Sequence, residues 1–274
     1  MSQTGSALIK IGMSLRARFE RERPGVFYLD TTNVDELRQH LMFLGWMGPK
    51  ESILQAEKAG EGNMNFTVRV RTPERSFILK QARPWVEKYP LIDAPWDRAL
   101  VEGRFYELVA SHPELACRMP RLLGLDPYAR LLCLEDLGEA RDFTAVYGGS
   151  PLPEPDLRVL IEFLTGLHAA FRNCLARDVF ENRAMRGLNH QHIFVLPLED
   201  GNGLELDRIT PGLTAAARKL RHDAEYKRKV LEAGELYLAG GPCLLHGDYF
   251  PGSWLSTAAG LKIIDPEFCF FGPH

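Results

Sequence analysis

Cys243-Leu244-Leu245-His246-Gly247-Asp248 and Leu261-Lys262-Ile263-Ile264-Asp265-Pro266-Glu267 are two apolar runs of strand length, separated by a polar stretch through Ser253. Each run delivers carboxylates at its far end. Pairing them as a hairpin predicts that Asp248, Asp265 and Glu267 converge. Lone acids in turns are usually solvated, but three carboxylates brought together suit a cation and a hydroxyl. Phosphoryl transfer needs such a grouping, because positioning and charge neutralisation lower its barrier. One carboxylate orients the attacking hydroxyl and accepts its proton, while others hold the magnesium that bridges the nucleotide phosphates. Asp265 and Glu267 are hard oxygen ligands one residue apart, as a small octahedral cation prefers.

His246-Gly247-Asp248, with Asp265-Pro266-Glu267 and Phe268-Cys269-Phe270-Phe271-Gly272-Pro273 after it, resembles the catalytic segment of the methylthioribose kinases. These form a branch of the aminoglycoside phosphotransferase and choline kinase superfamily. Most of that superfamily has an Asn where this chain has Ser253. The serine and the Asp-Pro-Glu form both resemble the methylthioribose kinase branch.

Outward from this segment, composition narrows the class. With 274 residues, 45% of them hydrophobic, the chain can bury a sizeable core in one large or two small domains. The net charge of −3, with acids and bases interspersed, gives no electrostatic footprint for nucleic acid or an anionic membrane. Arg218 to Lys229 is the densest basic stretch, but Asp223 and Glu225 interrupt it, as in a solvated helix face. The five cysteines, Cys117, Cys133, Cys174, Cys243 and Cys269, lack C-x-x-C spacing and read as reduced, buried thiols. There is no signal-peptide pattern and no run of about eighteen apolar residues, so a cytoplasmic protein is expected.

Residues 1–28 are rich in Ser, Arg and Glu with little period and predict a loosely held extension, in which Met13 offers an alternative start. Thr31-Thr32-Asn33 supplies N-cap candidates before Val34, Leu37, Leu41 and Leu44, whose spacing predicts an amphipathic helix ending near Gly45. Ile53 to Glu57, Gly60-Glu61-Gly62-Asn63-Met64-Asn65 and Phe66 to Val70 then read as strand, glycine turn, strand. Glycines let backbone amides approach phosphates, yet Gly-x-Gly between strands also serves as a plain hairpin turn. Residue pattern alone leaves both readings open. Ser76 to Gln81 is a third strand carrying Lys80, which must be paired, face phosphates or snorkel to solvent. Asp97 is placed to cap a helix with Val101, Phe105, Leu108 and Val109 on one face. Glu102 stands where the resemblance to kinase-like folds implies an acid paired with Lys80, and Glu107 further on is the other candidate.

Arg121 to Asp126 and Arg130 to Glu135 predict a hairpin that turns at Pro127-Tyr128-Ala129 and ends at Glu135-Asp136-Leu137-Gly138. Beyond it the composition turns helical. Leu157, Leu160, Ile161, Leu164, Leu167, His168 and Phe171 form an apolar stripe in which His168 reads as a core histidine. His190 and His192 would share a face, and a metal, only in a strand, and no third soft ligand stands nearby. Residues 211–238 predict a last helix with Leu213, Ala217, Leu220, Ala224 and Leu231 on one side, broken by Gly240-Gly241-Pro242.

This order of elements is α+β. The resemblance also covers the glycine stretch, Lys80 and Glu135-Asp136-Leu137, and it implies a two-lobed protein-kinase-like fold. Residues 1–49 are then an extension and helix, 50–137 a nucleotide-binding N-lobe with a small antiparallel sheet, and 138–274 a mainly helical lobe for catalysis and acceptor binding. It implies ATP and Mg2+ as cofactors. Gly60, Gly62, Asn63 and Asn65 would cover the phosphates, Lys80 would hold them and Glu102 would steady Lys80. Main chain near Glu135 and Leu137 would hydrogen-bond adenine, unless this is only an interdomain turn. Asp248 would be the catalytic base, with Asp265 and Glu267 on the metal. The implied reaction is phosphorylation of the 1-hydroxyl of 5-methylthioribose in methionine salvage. Two alternatives stay open: another hydroxyl acceptor (an aminoglycoside, a choline-like amine or a homoserine-like alcohol), or a nucleotide-binding protein without transfer activity. Methylthioribose kinases continue beyond Phe-Gly-Pro with helices that complete the lower lobe and supply arginines to the sugar. An incomplete C-lobe is therefore expected, with apolar stripes open to a homodimer or a partner.

Overall fold

The computed structural model describes residues 14–60, 62–173 and 180–273. The start of the expected extension, with Met13, together with Glu61 and Cys174, lies outside the described residues. The chain divides into two compact units. One holds the residues up to Phe163 and Asp248–Glu267; the other holds Leu164–Gly247 and the residues from Phe268 on.

In the first unit, β1 (Gln55–Lys58), β2 (Phe66–Arg71) and β3 (Ser76–Gln81) are followed by a ribbon of β4 (Trp85–Val86) and β5 (Tyr89–Asp93), then by β6 (Leu122–Asp126) and β7 (Leu131–Glu135). Five of these form an antiparallel sheet in the order β1-β2-β3-β7-β6. Period-two alternation gives the sheet two unlike faces. Val68, Val70, Phe77 and Leu79 point into a core with Leu37 and Leu41 of helix α2 (Val34–Phe43). Thr67, Arg69, Ile78 and Lys80 occupy the opposite face, paired in register Thr67↔Lys80 and Arg69↔Ile78. Helix α2 begins at Asn33, whose side chain accepts the Glu36 amide, as the sequence predicts.

The described part of the extension is not loose. Helix α1 (Leu15–Glu22) buries Phe19 against Tyr28, Trp85 and Trp96, and Arg18 stacks on Trp85 while pairing with Glu22 and Asp93. The contacts to Trp85, Asp93 and Trp96 join residues far apart in sequence, so local periodicity does not reveal them. The next segment is tied down by Gln81, which accepts from the Leu29 amide and donates to the carbonyls of Phe27 and Ala129.

Helix α3 (Arg98–Val109) forms as expected, with two differences. Asp97 does not cap it; its carboxylate accepts from Arg130 at 2.7 and 2.8 Å instead. The buried face runs through Arg98, Ala99, Glu102, Phe105, Tyr106 and Val109, so charged residues share it with the apolar ones. Helix α4 (Glu154–Ala170) also forms, burying Leu160, Phe163 and Leu167.

The second unit contains α5 (Arg183–His190), α6 (Leu213–His222) and α7 (Ala224–Ala239). The single helix expected over 211–238 is broken at Asp223, which leaves the helical region and caps α7 through the Tyr226 amide. His190 and His192 lie on α5 and the helical turn after it, where residues two apart do not share a face.

The hairpin expected between the Cys243 and Leu261 runs does not form. In the second unit β9 (Cys243–Leu245) pairs with β12 (Phe270–Gly272). In the first unit β11 (Gly260–Ile263) pairs with β10 (Trp254–Thr257), which continues to β8 (Ala140–Asp142). The turn at Ala258-Ala259-Gly260, with Gly260 at φ 93, joins β10 to β11 at far smaller loop-closure cost than the longer connection from Leu245. Among the described residues, no disulfide joins the cysteines and no helix is long and apolar enough to cross a membrane.

Candidate active site

The cleft face of β3 presents Lys80, which is 4% exposed. Its Nζ lies 2.8 Å from Glu102 on α3 and 2.6 Å from Asp265. Glu107, the other acid considered, is half-exposed and pairs with Arg104. Burial alone would lower the Lys80 pKa, but Asp265, Glu102 and Glu267 outweigh it and hold the ammonium charged well above its ordinary value. For Glu102, burial pushes the carboxyl upward against the pull of Lys80. Asp265 sits in the left-handed region at φ 64, a strained conformation for a residue with a Cβ.

Glu267 is engaged on a second side. Arg98 Nε lies 3.1 Å from Glu267 Oε2, and Asn65 Nδ2 donates to the same oxygen at 2.9 Å. Arg98 Nε also donates to Asn65 Oδ1 at 2.9 Å. Asn65 is thus buried, whereas Gly62 and Asn63 are exposed and Gly60 turns at φ 69. Asp248 lines the same cleft of about 1170 Å³ as Lys80, Asp265 and Glu267. Burial, then the charges of Glu267 and Asp265, push its carboxyl up to about 7, with Lys80 opposing.

At the other end of the cleft, Arg69 grips Asp136 through Nε at 2.9 Å and Nη2 at 3.0 Å, and also donates to Gly138 O. The Asp136 carboxyl is held low by the Gly138 amide and Arg69, which overcome its burial. This pair fixes Glu135-Asp136-Leu137 beside the sheet. The Glu135 amide already donates to Arg121 O at 2.9 Å, so only its carbonyl is left to face a ligand. Leu137 lines the cleft.

The charges fit a divalent cation. Asp248, Asp265, Glu267 and Glu102 are brought together with Lys80 and Arg98. Burial first, then the neighbouring charges of Glu267 and Asp265, raises the Asp248 carboxyl, and a cation in the cleft would relieve that repulsion. Among the described residues no group of three or more His, Cys, Asp or Glu is arranged to hold a metal unaided. A cation such as Mg2+ takes one or two protein carboxylates and completes its shell with water and phosphate oxygens, and Asp265 and Glu267 would be the two.

The sequence pattern of the phosphotransferase enzyme family (APH) matches residues 55–274. The chain belongs to this family. Its sequence is 29% identical over 257 residues to a methylthioribose kinase of Exiguobacterium sibiricum, covering 88% of this chain and 62% of that protein. It is 28% identical over 261 residues to a methylthioribose kinase of Klebsiella pneumoniae subsp. pneumoniae, covering 90% and 63% respectively. The chain thus spans under two thirds of the length of these curated relatives. The crystal structure of LicA in complex with AMP aligns with 88% of this chain and 70% of its own, with a TM-score of 0.51 and 13% identity. That likeness establishes the protein-kinase-like α+β fold expected from the sequence.

Within this phosphotransferase fold, two site residues escape a reading of the sequence. Arg98 stands four residues before Glu102, so both fall on one buried helix face, and a charge at that spacing was the available signal. Arg69 occupies the polar phase of an alternating strand, on the same face as Lys80. Its partner Asp136 belongs to another strand connection, and sequence spacing does not relate the two.

Proposed function

We propose that this chain is an ATP-dependent small-molecule kinase that phosphorylates the 1-hydroxyl of 5-methylthioribose. The observation that carries the reading is Lys80, buried between Glu102 and Asp265, in one cleft with Asp248 and Glu267. Relatives that bear the methylthioribose kinase name support the choice of acceptor. Lys80 holds the α- and β-phosphates, and Glu102 fixes its direction. The amides of Gly60 to Asn65 cover the phosphates, while the Glu135 carbonyl and the Leu137 amide meet the adenine edge. Asp265 and Glu267 hold Mg2+, which when bound neutralises phosphate charge. Asp248 orients the acceptor hydroxyl and takes its proton late in transfer, a role worth about 10²–10⁴ in rate. The reading places the protein in the cytoplasm, where ATP is available.

The test is ADP release by the purified full chain with Mg-ATP and a panel of 5-methylthioribose, ribose, choline, homoserine and an aminoglycoside. Release that depends on 5-methylthioribose supports the assignment. Release with choline or the aminoglycoside in its place replaces the acceptor, and ADP binding without release under any acceptor overturns transfer by this chain.

A further inference from the structure

We infer that Arg98 is a positioning residue that couples the glycine stretch to the cation ligand Glu267, so that the phosphate-covering loop and the cation site order together. The consequence for ligands rests on the phosphotransfer reading; the coupling itself rests on geometry. Arg98 is 1% exposed, and its guanidinium reaches four separate stretches of chain. Nη2 donates to Met64 O at 2.7 Å and Nε to Asn65 Oδ1 at 2.9 Å, both in the glycine stretch. Nε also lies 3.1 Å from Glu267 Oε2, and Asn65 Nδ2 closes the triangle on that same oxygen at 2.9 Å. Nη1 anchors the assembly to the carbonyls of Arg83 and Pro95, at 2.7 and 2.8 Å.

A planar fork with five donors can satisfy these directions at once, whereas the point charge of a lysine cannot. One turn further along α3, Glu102 holds Lys80, and Lys80 holds Asp265. The helix therefore grips both acids of Asp265-Pro266-Glu267, one directly through Arg98 and the other through the Glu102–Lys80 pair. Loosening Arg98 releases Glu267 and the loop together while leaving the Lys80 contacts in place.

Hydrogen exchange on the full chain without nucleotide compares wild type with Arg98→Lys and Arg98→Met. Exchange at the amides of 62–65 and of Ile264, Asp265 and Glu267 should rise together by about tenfold, with 76–81 nearly unchanged. A rise in one segment alone, or one that spreads through 76–81, overturns the coupling. Calorimetry of ADP binding with and without MgCl2 gives the second readout. Arg98→Met should lower the Mg2+-dependent gain in ADP affinity by about tenfold while leaving Mg2+-free affinity within about threefold, and Arg98→Lys should fall between. Equal loss with and without Mg2+ overturns the proposal. Should Arg98→Met not fold, Arg98→Lys carries both measurements. If wild type binds no ADP, the phosphotransfer reading fails, and the paired exchange response still decides the coupling.

Discussion

Replacing Asp248 by Asn should stabilise the unliganded protein while abolishing transfer. In the folded state the Asp248 carboxyl titrates at about 7, against an ordinary value of 3.8. The folded state thus binds this proton more tightly than the unfolded chain, and stability falls as pH rises from about 4 to about 7. At about 1.36 kcal/mol per unit, the penalty reaches about 4 kcal/mol by pH 8, reduced to about 2–4 kcal/mol by the solvent that reaches the cleft. Asparagine cannot ionise and escapes it. Urea denaturation of both proteins from pH 5 to 8, free of metal and nucleotide, should show a stability difference that widens with pH and levels off above 7. A difference independent of pH, or a wild type that gains on the variant over this range, would refute the electrostatic reasoning. Mg-ADP should narrow the gap, because a bound cation favours the ionised carboxylate.

Lys80→Met leaves Glu102 and Asp265 without their shared cation and should destabilise the chain by about 3–5 kcal/mol at neutral pH, with partial recovery in acid as Glu102 takes a proton; chemical denaturation at pH 5 and 8 checks both. Gly247 sits at φ 84, and a Cβ there would lie 2.0 Å from Phe268 O. Gly247→Ala should therefore lose more than about 2 kcal/mol, seen as a lower Tm or as failure to accumulate folded. Phe19→Ala empties the aromatic contact that docks α1 and should cost about 3–5 kcal/mol in a denaturation curve; a loss under about 1 kcal/mol would mean that the helix is dispensable.

The parts legible in the sequence are those written in local pattern. Alternation placed β2 and β3, the three-four spacing placed α2, and a lysine in an apolar run was recognisable as a residue that must be paired. The pairing of the last strands was not legible, because apolar runs announce strands without naming partners, and the Gly260 turn claimed β11 for β10. Arg98 and Arg69 were hidden for a related reason: each reads as an ordinary surface arginine until the fold brings Glu267 and Asp136 to it. The break at Asp223 shows local chemistry overriding period, since one N-cap ended a stripe that otherwise runs on.

Strand β3 assigns its residues strictly by turn, with Phe77 and Leu79 to the core, Ile78 and Lys80 to the cleft. Length is therefore as tightly constrained here as chemistry. One residue inserted between Phe77 and Leu79 would drive the ammonium into the oily layer and swing a leucine out toward the ligand, two failures from a single codon. The Thr72-to-Arg75 turn just upstream has no such double duty, so libraries that vary loop length belong there.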